Sequence, residues 1–136
     1  MLLQPKRTKF KKFKKNYLVH PIETKAHRLT KGFIGLKALE SLRLTSRQIE
    51  AVRQCVNREL NRRGKIWLTI FPHIPVSEKP TENRMGKGKG AISYWCVPVK
   101  VGTIILEIGG VSQLKAKQAL TKGANKLPIK TKIIIR

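Results

Sequence analysis

LTSRQIEAVRQCVNRELNRRG, residues 44–64, is the stretch that decides the fold. Thr45 followed three residues later by Gln48 is a capping box, and Leu44 with Ile49 fits the hydrophobic staple around it. Ile49, Val52, Val56 and Leu60 then recur at helical spacing, which predicts an amphipathic helix with one apolar stripe. Arg47, Arg53, Arg58 and Arg62 lie largely off that stripe. Arg62 and Arg63 suit the negative end of the helix dipole, and Gly64 closes the helix, giving a length of about 27 Å at 1.5 Å per residue. One face should pack on a sheet while the other presents positive charge.

Strand patterns surround this helix. Gly32–Leu39 (GFIGLKAL) opens a strand, and Lys65–Phe71 (KIWLTIF) is rich in β-branched and aromatic residues. Pro72, Pro75 and Pro80 punctuate a loop. Ala91–Lys100 is strand-like, with Pro98 pointing to an edge or a bulge, and the Val101-Gly102 link implies a hairpin or tight turn into TIILEI. Ser112 caps a second helix with a stripe of Ala116, Leu120, Ala124 and Leu127, which Gly123 weakens by roughly 1 kcal/mol relative to Ala. Ile129–Arg136 is a last strand. Two helices among about five strands make a single α+β domain with an antiparallel-rich sheet. The expected organisation is a basic N-terminal arm over residues 1–31 and a globular domain over 32–136 with an extended loop at 78–91.

Charge sets the class of partner. Thirty Lys and Arg face seven acids, all Glu, for a formal net charge of +23 over 136 residues. A free domain so charged repels itself, and a polyanion relieves that by releasing condensed counterions. Nucleic acid is the first candidate and an anionic membrane surface the second. The longest apolar stretch, Gly102–Val111, is interrupted by Glu107 and is too short to span a bilayer. The basic amino terminus lacks Ser and a helical period, so it does not read as a transit peptide.

Between Pro5 and Lys15, seven of eleven residues are Lys or Arg: Lys6, Arg7, Lys9, Lys11, Lys12, Lys14 and Lys15. Such a run cannot fold alone and should order on a phosphate-rich surface. Phe10 and Phe13 either stack on bases or anchor the arm; the sequence leaves both open. The other unusual stretch is KPTENRMGKGKG, residues 79–90, in which Arg84 and Met85 lead into Gly86, Lys87, Gly88, Lys89 and Gly90. Glycine there lets RNA approach the backbone closely, and the lysines bring charge to the tip. No glycine stands five positions before either Gly-Lys pair, which excludes a nucleotide-hydrolase phosphate loop.

Catalysis finds little support. The carboxylates are few and scattered, and His20, His27 and His73 have no metal-ligand spacing with Cys55 or Cys96, so neither a catalytic centre nor a metal or cofactor is expected. Both cysteines read as small core hydrophobes and His73 as a surface loop residue.

The motifs resemble one family over nearly the whole chain. LQPKRTKF at 3–10, GLKA at 35–38, LTSRQIEA at 44–51, GKIW at 64–67, EKP at 78–80, RMGKGKG at 84–90, YW at 94–95 and KLPIKTK at 126–132 occur in the order found in the large-subunit ribosomal protein family L-sixteen. The resemblance implies a hammerhead-like α+β domain between the central protuberance and the peptidyl-transferase region, contacting large-subunit rRNA, neighbouring ribosomal proteins and tRNA in the aminoacyl site. It assigns Arg84–Gly90 to a loop extending toward tRNA and catalytic RNA. In bacterial members the arginine matching Arg84 can be hydroxylated. To rRNA are assigned the seven arm cations together with Arg47, Arg58, Arg62, Lys130 and Lys132. One segment departs from the family: Asn16–Thr30, with Tyr17, Leu18, Val19, Pro21 and Ile22, stands where bacterial and plastid members carry a Gly- and Arg-rich stretch. That divergence and the Lys and Ile bias favour a mitochondrial ribosome over a plastid or bacterial one.

Overall fold

The computed structural model describes residues 3–14 and 22–136. Among the described residues, seven strands and two helices follow in the order β1 (Ile34–Ala38), β2 (Leu42–Thr45), α1 (Ser46–Glu59), β3 (Lys65–Leu68), β4 (Ile74–Glu78), β5 (Ala91–Val99), β6 (Ile104–Gly109), α2 (Gln113–Ala124) and β7 (Thr131–Ile135). The α+β class with antiparallel strands and two helices is as the patterning predicts. The strands, however, divide into two sheets, ordered β3-β6-β1-β7 and β2-β5-β4.

α1 begins as read. Thr45 Oγ1 accepts from Gln48 N–H at 3.3 Å, and Gln48 Oε1 accepts from Thr45 N–H at 2.9 Å. Its end is different. Gly64 does not close it; the helix stops at Glu59, and its 14 residues span about 21 Å. Asn61 and Arg62 turn left-handed, with φ of 50° and 61°. Asn61 N–H then reaches Arg58 O and Arg62 N–H reaches Asn57 O, both at 3.0 Å, which is the Schellman pattern with Asn in place of the usual Gly. Arg62 and Arg63 therefore lie beyond the helix. Gly64 instead shapes the entry to β3: at φ 81°, a Cβ there would sit 2.6 Å from Val111 Cγ1 and 2.9 Å from Gly109 O.

Two clusters form the core. In the first, Ile34, Leu36, Leu106 and Ile108 of the four-stranded sheet meet Val52, Val56 and Leu60 of the α1 segment and Ala116, Ala119 and Leu120 of α2. The second gathers Ala38, Leu44, Ile49, Val97, Val99 and Ile105, joining the two sheets. Gly123 is more than a weak point in α2, because a Cβ on it would meet Val56 Cγ2 at 2.7 Å. Its missing side chain sets how closely the helices pack.

The proline-marked loop conceals a strand. Ile74–Glu78 pairs with β5 despite Pro75, and β4 is an edge strand whose outer side needs no donor there. Pro98 lies in β5, the middle strand, yet beyond the last β4 pairing at Cys96, so only β2 adjoins it; the register shift falls at Val76/Ser77. No hairpin joins β5 to β6. A turn closed by Thr103 N–H to Lys100 O at 3.1 Å, with Gly102 at φ 93°, passes the chain from one sheet to the other.

Candidate nucleic-acid interface

Buried charge organises the approach to β1. Glu107 of β6 is 1% exposed and lies opposite Gly35 in the register. Its carboxylate accepts from Gly32 N–H at 2.6 Å, Lys31 N–H at 2.7 Å and Thr30 N–H at 3.3 Å. Burial pushes the carboxyl pKa up, but these backbone donors outweigh it and hold the group below its ordinary range. Gly35 makes room for the captured segment, since a Cβ there would lie 2.5 Å from Leu29 Cδ2. Glu23 N–H to Val101 O and Ile104 N–H to Ala26 O, both 2.9 Å, tie the preceding residues to the same domain. Sequence patterning registered Glu107 only as a break in an apolar run; no local signal points to its backbone partners more than seventy residues away.

Residues 3–14 contain no helix or strand. Leu3 packs against the second core cluster, and Leu3 and Gln4 share a groove with Arg47, Tyr94 and Trp95. Lys6, Arg7, Lys9, Lys11, Lys12 and Lys14 are all exposed, while Lys15 lies outside the described residues, as does the patch Tyr17–Val19. Phe10 is 67% exposed, with Lys9 Nζ 5.5 Å from its ring centre. Phe13 and Lys14 border a second groove with Arg43 of β2, Ile74–Ser77 of β4 and Lys89.

The Gly-Lys loop is exposed from Thr81 to Lys89, with Met85 97% exposed. Gly86, Lys87 and Gly88 take φ of 103°, 54° and 83°; the two glycines accept the left-handed region without strain, and Lys87 between them enters it as a non-glycine residue. Nothing lies within 4 Å of a Cβ built on Gly86 or Gly88. Gly90 is the exception, since a Cβ there would sit 2.4 Å from Glu78 O at the base of the loop. Lys79 Nζ donates to Gly86 O across the loop.

Arm and loop meet. Lys12 Nζ donates to Lys89 O, and Lys89 Nζ donates to Phe13 O. The structure thus brings Lys12, Lys14 and Lys89 together and adds Arg43, which sequence reasoning did not single out. Arg58 is exposed some eleven residues along α1 from Arg47, roughly 16 Å away, and Arg62 sits in the turn beyond. Lys130 precedes and Lys132 lies in β7, at the edge of the other sheet. Lys130 Nζ is 3.5 Å from Glu40. These four do not join the arm–loop cluster.

Among the described residues, ion pairs engage Arg53, Lys100, Lys122 and Lys130, none of them in the arm or the loop tip. Among the same residues no three His, Cys, Asp or Glu side chains are grouped to hold a metal. No helix among them is long and apolar enough to cross a membrane. Cys96 is buried and burial pushes its thiol pKa up, whereas Cys55 is half-buried, less enclosed than its reading as a core hydrophobe implied. His73 is exposed, as expected.

These features define a class: a small α+β protein whose irregular basic segments are displayed on a well-packed core. Residues 5–134 match the family described as Ribosomal protein L16p/L10e. The chain is 50% identical to a large ribosomal subunit protein uL16 of Cereibacter sphaeroides, covering 99% of this chain and 98% of that one. It is 52% identical to the uL16 protein of Xanthobacter autotrophicus over the same shares, and 51% identical to that of Parvibaculum lavamentivorans over 99% and 96%. The chain belongs to the ribosomal protein L16p/L10e family.

Proposed function

We propose that this protein is a structural constituent of the large ribosomal subunit, not an enzyme. It binds large-subunit rRNA and neighbouring ribosomal proteins near the central protuberance, and its loop at 78–91 reaches toward the peptidyl-transferase region and aminoacyl-site tRNA. The basic segment within residues 1–31 serves as the arm and 32–136 as the globular domain. Lys6, Arg7, Lys9, Lys11, Lys12, Lys14, Lys15, Arg47, Arg58, Arg62, Lys130 and Lys132 contact rRNA, and Arg84–Gly90 faces tRNA.

The observation that carries this reading is the junction of arm and loop. Two irregular cationic segments, far apart in sequence, are linked through Lys12, Phe13 and Lys89 at one side of the small sheet, so their charge is presented together. Phosphate is the chemistry that such an array neutralises. The family's uL16 relatives are named for the large subunit, which agrees with the site. The Lys excess and the departure at Asn16–Thr30 favour a mitochondrial ribosome, whereas the relatives named above are bacterial and fit a bacterial cytoplasm; the encoding genome decides between them.

The test is sedimentation in salt that strips loosely bound factors. The protein should travel with the large subunit. Recovery wholly in the soluble fraction contradicts the proposal, and equal affinity for random duplex DNA and structured rRNA replaces it with general nucleic-acid binding.

A further inference from the structure

The groove between arm and small sheet has the chemistry of a nucleotide site. In the register, Ile74 and Val76 of β4 pair with Cys96 and Tyr94 of β5, and Arg43 of β2 pairs with Pro98. Tyr94, Cys96 and Pro98 alternate along one strand, so these residues share a face of the small sheet, opposite the one that sends Leu44, Val97 and Val99 into the core. Phe13, Ile74 and Val76 line one groove, and Lys14, Arg43 and Lys89 line it with them. Phe13 is 43% exposed and both β4 side chains are half-buried, so an apolar slot stays open between them.

We propose that this slot takes one unstacked base of single-stranded RNA, sandwiched between the Phe13 ring and the Ile74–Val76 surface, with its flanking phosphates held by Lys14 and Arg43. The inference rests on the RNA-binding reading and deepens it by naming a site. Charge complementarity selects the occupant. An apolar slot ringed by three cations repels a basic peptide, and a neutral peptide would leave those cations without counter-charge, whereas a nucleotide offers both a flat base for the aromatic face and phosphates for Lys and Arg. A base within a duplex is stacked and cannot enter, so the site selects loops and bulges. Lys89 contributes differently, because its bond to the Phe13 carbonyl fixes the arm at the distance that keeps the slot open. Phe10, which does not line this groove, is not part of the site.

The experiment uses the full chain and two probes of equal length: an RNA hairpin with a single-stranded loop carrying 5-iodouridine, and a fully paired RNA duplex. Irradiation of the hairpin complex should cross-link Phe13 or the Ile74–Ser77 peptide. Phe13→Ala should lower the ratio of hairpin to duplex affinity about fivefold or more, the low end of what losing one base–aromatic stack produces. Arg43→Glu should lower hairpin affinity further, while Lys117→Glu on exposed α2 should leave the ratio unchanged. Tight hairpin binding with cross-links only elsewhere and an unchanged ratio in Phe13→Ala overturns the slot but leaves RNA binding standing. Failure of the wild-type chain to bind either probe overturns the underlying reading and the slot with it.

Discussion

Residues 29–32 and the loop at 84–90 are both irregular, both contain glycine and both carry cations, yet they are held in opposite ways. The first is drawn onto the sheet: Glu107 takes three of its N–H groups, and a Cβ on Gly32 would lie 2.5 Å from Ile108 O. The second stands clear, and the glycines at its tip have nothing near them. In the first segment the residue types serve the fold, because a larger residue or a lost acceptor leaves buried groups without partners. At the tip, from Gly86 to Gly88, the missing side chains make room for no internal neighbour, so the sequence there answers to something outside the chain.

The contrast can be broken at the Glu107 end most forcefully. Glu107→Ala leaves the Thr30, Lys31 and Gly32 donors without their acceptor and should cost roughly 3 kcal/mol in urea unfolding. Glu107→Gln, which keeps one carbonyl oxygen, should cost less. A loss under about 1 kcal/mol for the alanine variant would mean that water replaces the carboxylate and that the segment is not pinned.

Helix packing gives the next effect. Gly123→Val places atoms where Val56 Cγ2 already lies and should destabilise by about 2 kcal/mol, with no defect in RNA affinity among molecules that remain folded. Neutral stability would show that the helices separate freely.

Acid should reveal the same carboxylates. Glu107 is depressed in the folded state, and Glu50, through its hydrogen bonds from Arg53, is lowered to about 2. A carboxyl lowered on folding adds stability above its ordinary value of 4.5, and that contribution is lost as pH falls through the folded value. Unfolding free energy should therefore hold above the ordinary value of 4.5 and decline as pH falls below it. Glu107→Gln should flatten part of that decline, and the Glu50 share should be small because the Arg53 side chain is 39% exposed. An unchanged profile in Glu107→Gln would remove the carboxylate from the account.

The smallest stability effect belongs to the loop. Lys87→Glu should shift unfolding by less than about 0.5 kcal/mol. On the ribosome it should impair tRNA accommodation more than subunit assembly, while reversing charge at Lys11 should do the opposite. Equal defects from both would erase the division of roles, and Lys89, bonded to the arm, is expected to fall between them.

What could be read from sequence was what is local. Thr45 and Gln48 are three residues apart, so the start of α1 shows in the chain itself, and the stripe Ile49, Val52, Val56 and Leu60 is buried throughout. The helix end is not legible in the chain because Gly64 is the conspicuous residue, whereas Asn61 takes the left-handed turn without advertising it. β2 is only four residues long and abuts the helix cap, and β4 carries a proline that its edge position tolerates. Division into two sheets rests on pairings between distant segments, which no pattern within one strand encodes. In the site, charge announced the arm and loop; their contact through Lys12, Phe13 and Lys89 and the addition of Arg43 depend on how the small sheet folds.

Amide hydrogen exchange on the chain, free and bound to large-subunit rRNA, reads the central claim most directly. RNA should slow exchange in residues 3–14 and 79–90 and leave β1, β6 and α2 at their free-state rates. Slowing confined to the sheets and helices, with arm and loop unaltered, would mean that the displayed cations are not where RNA is met.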